Sequence, residues 1–183
     1  MEIIFLTGNS GKLEEARSIL GKKIKIIPEP FDLDEIQEID GKAIIIKKAQ
    51  EAFKLIKKPL IIEDTSLYFI AWKGLPGALI KWFLKSVGSQ GILNMLNGFN
   101  NRSAIAQSLI AFHDGKNVRI FEGTVRGKVP HKIKGENGFG WDNIFIAEGQ
   151  IKTYAEMKSD EKNKKSPRRI ALEKLKEYLS ANT

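Results

Sequence analysis

The sequence predicts an α/β fold with a mixed β-sheet flanked by helices, and three observations carry that expectation. Residues 2–7 and the helix-periodic segment after them form a strand–turn–helix succession. A second helical segment, over 41–57, delivers the chain into the buried apolar strand Leu60–Ile62. Strands separated by helices favour parallel pairing. The two apolar runs around Asp114-Gly115-Lys116-Asn117 are instead joined by a tight turn and must pair antiparallel.

Each element has its own signal. Residues 2–7, EIIFLT, run apolar into the turn Gly8-Asn9-Ser10-Gly11. Leu13, Ala16 and Leu20 then repeat at i, i+3 and i+7, one apolar helix face, with Glu14 and Glu15 expected in a first turn where the helix dipole favours acids. Ile24–Ile27 reads as a strand ending at Pro28 and Pro30. Ala43, Ile46, Ala49, Phe53 and Ile56 keep helical spacing up to a stop at Pro59. Beyond Leu60–Ile62 comes the polar stretch Glu63-Asp64-Thr65-Ser66, then a separate strand Leu67–Trp72, the turn Gly74-Leu75-Pro76-Gly77, and two short helices. The hairpin strands are expected over Ser103–Phe112 and Val118–Val125. At the C-terminus Ser166 is a good N-cap, Pro167 suits the first helical position, and Ile170, Leu172, Leu175 and Leu179 supply an apolar face.

Composition narrows the chemistry. The chain has 183 residues, 42% of them hydrophobic, and shows no linker, repeat or low-complexity tract, so a single domain over 1–183 is expected. There is no cysteine, which excludes disulfides, zinc–thiolate sites and cysteine nucleophiles, and His113 and His131 are the only histidines. No apolar run approaches the roughly 18–20 residues of a membrane span, so no membrane partner and a cytoplasmic location are expected. Thirty Lys and Arg against 22 Asp and Glu give a net charge of +8. The segment 158–176 holds eight basic residues against three acids, and so five of those eight charges. Such a cluster suits a polyanion, a nucleotide pocket or a solvated helix face. Nucleic acid is not the expected partner: no reader motif is present, and Glu63-Asp64 repels phosphate in the absence of metal.

Three groups of residues can carry chemistry. Free N–H groups at the start of a helix attract anions; here Thr7 and Asn9 add side-chain hydrogen bonds and Lys12 a point charge. This is no Walker A loop, because only two residues separate Gly8 from Gly11 and Leu13 follows Lys12. An ordinary strand-to-helix connection uses the same residues. Glu63 and Asp64 follow a buried strand, so their side chains point to opposite faces and only one easily shares a pocket with the Lys12 loop. Asp34, Glu35 and Glu38 add a second acidic group, readable also as exposed acids at a helix start. Hard oxygen ligands favour Mg²⁺ over zinc. Finally, Gly138-Phe139-Gly140-Trp141-Asp142 sets two aromatics between glycines, either to stack on a base or to close a tight turn on the core.

Together these segments resemble the inosine triphosphate pyrophosphatase family across nearly the whole chain. Thr7-Gly8-Asn9-Ser10-Gly11-Lys12 is similar to its T-x-N-x-x-K, Glu63-Asp64-Thr65-Ser66-Leu67 to the E-D-T form of its acidic loop, and Gly74-Leu75-Pro76-Gly77 to its G-x-P-G. Phe139-Gly140-Trp141-Asp142 is similar to F-G-[YW]-D. Thr153-Tyr154-Ala155-Glu156-Met157 and Glu161-Lys162-Asn163 lead to Ser166-Pro167-Arg168, where the family reads S-H-R. The resemblance implies a two-lobed fold with a long mixed sheet and a cleft between the lobes, in a homodimer. It also implies hydrolysis of deaminated purine nucleoside triphosphates, ITP, dITP and XTP, to the monophosphate and pyrophosphate. On that basis residues 7–12 hold the triphosphate, Glu35 and Asp64 bind Mg²⁺ (or Mn²⁺ in its place), and Asp64 orients or deprotonates the attacking water with help from Glu63. Thr65 contacts substrate, Phe139 and Trp141 wall the base, Asp142, Lys162 and Arg168 complete the nucleoside end, and Gly140 and Pro167 stand among the substrate-binding residues.

Two departures bear on the base. Pro167 replaces the histidine that in relatives helps contact the 6-oxo group, and proline offers neither a side-chain donor nor an N–H. Arg168 can still donate to O6, which an adenine amino group cannot accept, so a preference for ITP, dITP and XTP over ATP is expected. Asn143 replaces the usual proline after Asp142, an exchange expected to loosen the loop. The related septum-inhibitor-type pyrophosphatases, which favour modified or pyrimidine nucleotides, share the implied fold, but the F-G-W-D block and the Lys162–Arg168 segment argue against them.

Overall fold

A computed structural model describes residues 1–30, 36, 38 and 40–182. In chain order the elements are β1 (Glu2–Leu6), α1 (Ser10–Leu20), β2 (Lys25–Glu29), α2 (Gly41–Ile56), β3 (Leu60–Phe69), β4 (Pro76–Gly77), α3 (Ile80–Met95), β5 (Ser103–His113), β6 (Val118–Lys128), β7 (Ile146–Ala147), α4 (Ser159–Asn163) and α5 (Pro167–Ala181). The strands form one sheet in the order β2-β1-β3-β5-β6-β7, with β4 paired to β3. It is mixed, as the sequence predicts: β1 runs parallel to β2 and β3, while β4 and β7 are antiparallel to β3 and β6. Among the described residues no helix is long and apolar enough to cross a membrane.

The chain divides into two compact units, Met1–Asp64 with Ser108–Gly123 and Arg168–Thr183, and Thr65–Gln107 with Thr124–Pro167. The first is a three-layer sandwich dictated by strand alternation. Ile3 and Phe5 of β1 join Ala16 and Ile19 of α1 and Leu172 and Leu175 of α5 in one core. Ile4 and Leu6, facing the other way, pack with Ile45, Ala49 and Ala52 of α2. Each buried aliphatic side chain is worth about 1.5–3 kcal/mol relative to exposure, which is why both faces of β1 read apolar. The second unit has one core, in which Leu67 and Phe69 of β3, Ile92 and Leu93 of α3, and Phe145 and Tyr154 meet.

The structure corrects several boundaries. β2 continues through Pro28 to Glu29 instead of stopping before it. Among the described residues β2 is the outermost strand on its side of the sheet, and on its unpaired side a missing N–H costs nothing. α1 begins at Ser10, so Glu14 and Glu15 lie beyond its first turn and gain no dipole stabilisation there. Leu60–Ile62 and Leu67–Trp72 are not two strands with a loop between them: Glu63-Asp64-Thr65-Ser66 lies inside the continuous β3. The expected pair of short helices corresponds to α3, which breaks at Gly88, where φ 67° and ψ 177° are non-helical.

Candidate active site

In the first unit the site starts from the turn between β1 and α1. Asn9 caps α1, its Oδ1 accepting the Lys12 N–H at 3.1 Å, and Thr7 Oγ1 accepts the Asn9 N–H at 3.1 Å. Both side chains spend acceptors on the loop and keep donors, the Thr7 hydroxyl and the Asn9 amide, for an anion. Gly8, Ser10 and Gly11 are exposed beside them.

Lys12 Nζ lies 3.3 Å from Glu63 Oε2. Of the two neighbouring acids it is therefore Glu63 that shares the Lys12 side. The other oxygen of Glu63 accepts from Ser108 Oγ at 2.8 Å and Arg168 Nε at 2.7 Å, and Arg168 Nη1 donates to Glu15 at 2.7 Å. The result is a group of two cations and two anions, buried at Glu15, Glu63 and Arg168 and partly exposed at Lys12, in which each charge has a partner. Burial raises the Glu63 carboxyl, but Arg168, Lys12 and the Ser108 hydroxyl together bring it below the usual carboxylate range. Burial likewise opposes charge on Arg168, and Glu63 with Glu15 reverses the balance and strengthens its hold on the proton. Asp64 points the other way, toward Lys48 of α2, whose Nζ stands 4.0 Å from Oδ1.

Among the described residues no three Asp, Glu or His side chains converge on a metal position. Mg²⁺ needs less than that, because it keeps waters and takes one or two carboxylates together with substrate phosphates. Asp64, partly exposed and a hard oxygen donor, fits that demand. Glu63 is already bound by Ser108 and Arg168. Glu35 lies outside the described residues. Glu38 is exposed and accepts the Asp40 N–H at 3.4 Å.

The second unit groups Phe139, Asp142 and Lys162. Asp142 Oδ2 accepts the Phe139 N–H at 2.9 Å and a short bond from Lys162 Nζ. The Lys162 ammonium sits 4.7 Å from the Phe139 ring centre and 5.6 Å from that of Tyr154. Gly138 is required by both space and backbone: at φ +77° a Cβ there would lie 2.2 Å from Asp142 Oδ2. The loop rests on a capping box, Thr153 N–H to Glu156 Oε2 and Glu156 N–H to Thr153 Oγ1, while Thr153 Oγ1 donates to Lys134 O. Phe139 is 39% exposed, whereas Trp141 is 8% exposed and packs edge-on against Phe145. The two aromatics thus divide: Phe139 offers a face, and Trp141 belongs to the core. Asn143 does not loosen this loop, since its Oδ1 accepts from Ser89 Oγ at 2.8 Å and ties it to α3.

Gly140 is exposed in this loop, Thr65 is half-buried in β3, and Pro167 is buried as the first residue of α5. Arg168, expected at the nucleoside end, is grouped with Lys12, Glu15 and Glu63 in the first unit. Sequence reasoning missed Lys48, Ser108 and the pairing role of Glu15. Lys48 had one legible signal, a lysine beside the apolar stripe of α2.

The sequence profile of the Ham1 family matches residues 3–178. The chain belongs to the Ham1 family. The inosine triphosphate pyrophosphatase of Yarrowia lipolytica is 43% identical over 183 residues, covering 98% of this chain and 96% of that relative. The same-named protein of Saccharomyces cerevisiae is 43% identical over 192 residues, covering 99% and 97%. Among solved Ham1 structures, the HAM1 protein from Coxiella burnetii superposes with a TM-score of 0.89 at 30% identity, covering 99% of both chains. The Staphylococcus aureus Ham1 protein gives 0.85 at 26% identity, covering 100% of both. The α/β architecture with its mixed sheet is therefore the Ham1 fold.

Proposed function

We propose that this Ham1-family chain is a metal-dependent nucleoside triphosphate pyrophosphatase that hydrolyses ITP, dITP and XTP to the monophosphate and pyrophosphate. The observation that carries the reading is the pairing of Lys12 with Glu63 and of Lys48 with Asp64 in a chain 43% identical to an inosine triphosphate pyrophosphatase.

Attack of water on a phosphoanhydride calls chiefly for positioning and charge neutralisation. Asp64 takes the proton of the attacking water or orients it. Lys12 and Lys48 neutralise phosphate oxygens, and the donors of Thr7 and Asn9 fix them. Mg²⁺, or Mn²⁺ in its place, held by Asp64 and Glu35, supplies further neutralisation of the polyphosphate when bound. Phe139 stacks on the base. A 6-oxopurine presents a donor N1–H beside an acceptor O6, the reverse of adenine. Asp142 accepts and its neighbour Lys162 donates, a pair whose polarity suits the oxo form. We further propose a cytoplasmic homodimer acting on free nucleotides, not nucleic acid; light scattering of the purified protein tests the dimer.

Pyrophosphate release from ITP, XTP, dTTP and ATP, with and without Mg²⁺, tests the function. Metal-dependent release from ITP and XTP is expected, with little from ATP or dTTP. Equal turnover of ITP and ATP removes the base assignment, and no release from any of the four removes the enzyme.

A further inference from the structure

We propose that Ser108 is a positioning residue of the pyrophosphatase: by anchoring one oxygen of Glu63 it aims the other at Lys12, and so sets where the Lys12 ammonium meets the triphosphate. The inference rests on the role of Lys12 proposed above.

The two oxygens of Glu63 have different duties. Oε1 receives Ser108 Oγ at 2.8 Å and Arg168 Nε at 2.7 Å, donors arriving from β5 and α5. Oε2 accepts no hydrogen bond among the described residues and faces Lys12 Nζ at 3.3 Å. The last torsion of a glutamate is broad and roughly two-fold, so one donor on Oε1 leaves the carboxylate free to pivot; two fix its plane. Exposure falls along the chain of contacts: the Lys12 side chain is 17% exposed, that of Glu63 1%, and Ser108 not at all. Ser108 is thus sealed from substrate and acts on it only through Glu63 and Lys12. A neutral donor is also what the position demands. Lys12 and Arg168 already balance Glu15 and Glu63, and a further buried charge would have no partner.

The test compares Ser108→Ala, Lys12→Ala and the double variant in ITP hydrolysis. Ser108→Ala is expected to raise KM for ITP about 3- to 10-fold, the worth of one hydrogen bond, with the change falling on KM and not on kcat. In the Lys12→Ala background the same substitution is expected to add nothing, because the side chain it positions is gone. An equal effect in both backgrounds, or a fall in kcat with KM unmoved, makes Ser108 merely structural and overturns the proposal. Should Ser108→Ala not fold, Ser108→Cys keeps a side-chain donor at the position, though a weaker one; an intermediate KM supports the proposal and a native KM overturns it. An active unmodified enzyme whose KM survives Ser108→Ala refutes the role of Ser108 alone, whereas an unmodified enzyme that releases no pyrophosphate refutes the function and this inference with it.

Discussion

Asp64 and Glu63 are neighbours on one strand with separate duties, and single substitutions distinguish them. Asp64→Asn keeps the volume and removes the charge, so kcat for ITP is expected to fall about 10²- to 10⁴-fold, while the thermal midpoint stays within a few degrees. A native kcat would take Asp64 out of the chemistry. Gly138 is the other position where a few atoms decide. Gly138→Ala places a methyl 2.2 Å from Asp142 Oδ2 and holds alanine at φ +77°. The backbone alone costs about 1–2 kcal/mol, and the displaced carboxylate releases both Phe139 and Lys162. A lower urea midpoint and a raised KM for ITP are expected; unchanged values in both would show that the tie through Asp142 is dispensable.

At the scale of elements, the hairpin and α2 share a titrating contact. His113, at the end of β5, stacks on Phe53 of α2 at 3.9 Å and 7°, and its Nδ1 accepts the Gly115 N–H. Burial pushes its pKa below the ordinary 6.5, against a smaller opposing pull from Asp114. The unfolded chain therefore binds this proton first, and stability is lost as pH falls from 6.5 toward the lower folded value. Glu63 adds its own loss as pH falls through 4.5, where the glutamate of the unfolded chain is half protonated, toward its lower folded value. Urea midpoints are expected to drop between about pH 7 and 5.5, and His113→Phe, which keeps the stack, to flatten that slope. An unaltered slope would assign the effect to other groups. Arg102 is a second such joint, donating to the carbonyls of Val129, Leu96 and Pro130. Arg102→Met leaves those carbonyls to compete for water, at an expected cost of about 2–3 kcal/mol in chemical unfolding.

These joints also mark where sequence reading stops. Alternation and turn chemistry were enough for β1, β5 and β6, because one strand's pattern reports its own two faces. β3 was misread as two strands since four polar residues in a row look solvated. What lets Glu63 stay buried inside it is Ser108, Arg168 and Lys12, from 45, 105 and 51 positions away. Lys48 escaped notice for the same reason, as nothing near it in the chain reveals Asp64. Phe139 and Trp141 look alike in sequence, and only packing separates the exposed ring from the buried one.

For the whole molecule, a net charge of +8 favours encounter with a polyphosphate. KM for ITP is expected to rise several-fold as ionic strength goes from about 0.05 to 0.5 M, where the screening length shortens to a few ångströms; a salt-independent KM would confine the electrostatics to the paired lysines. The division of the chain has another consequence. The first unit is assembled from three separate stretches, and Ala171, Leu172, Leu175 and Leu179 of its core come from the last helix. During synthesis the core that Ile3, Phe5 and Ile61 form with Ala16 and Ile19 of α1 therefore stays incompletely covered until α5 has left the ribosome. A nascent chain stalled or nonsense-terminated just after Pro167 would leave α5's share of that core bare, the kind of species that chaperones hold and aggregates recruit. This core is thus completed only by α5, well after residues 7–12 have been made.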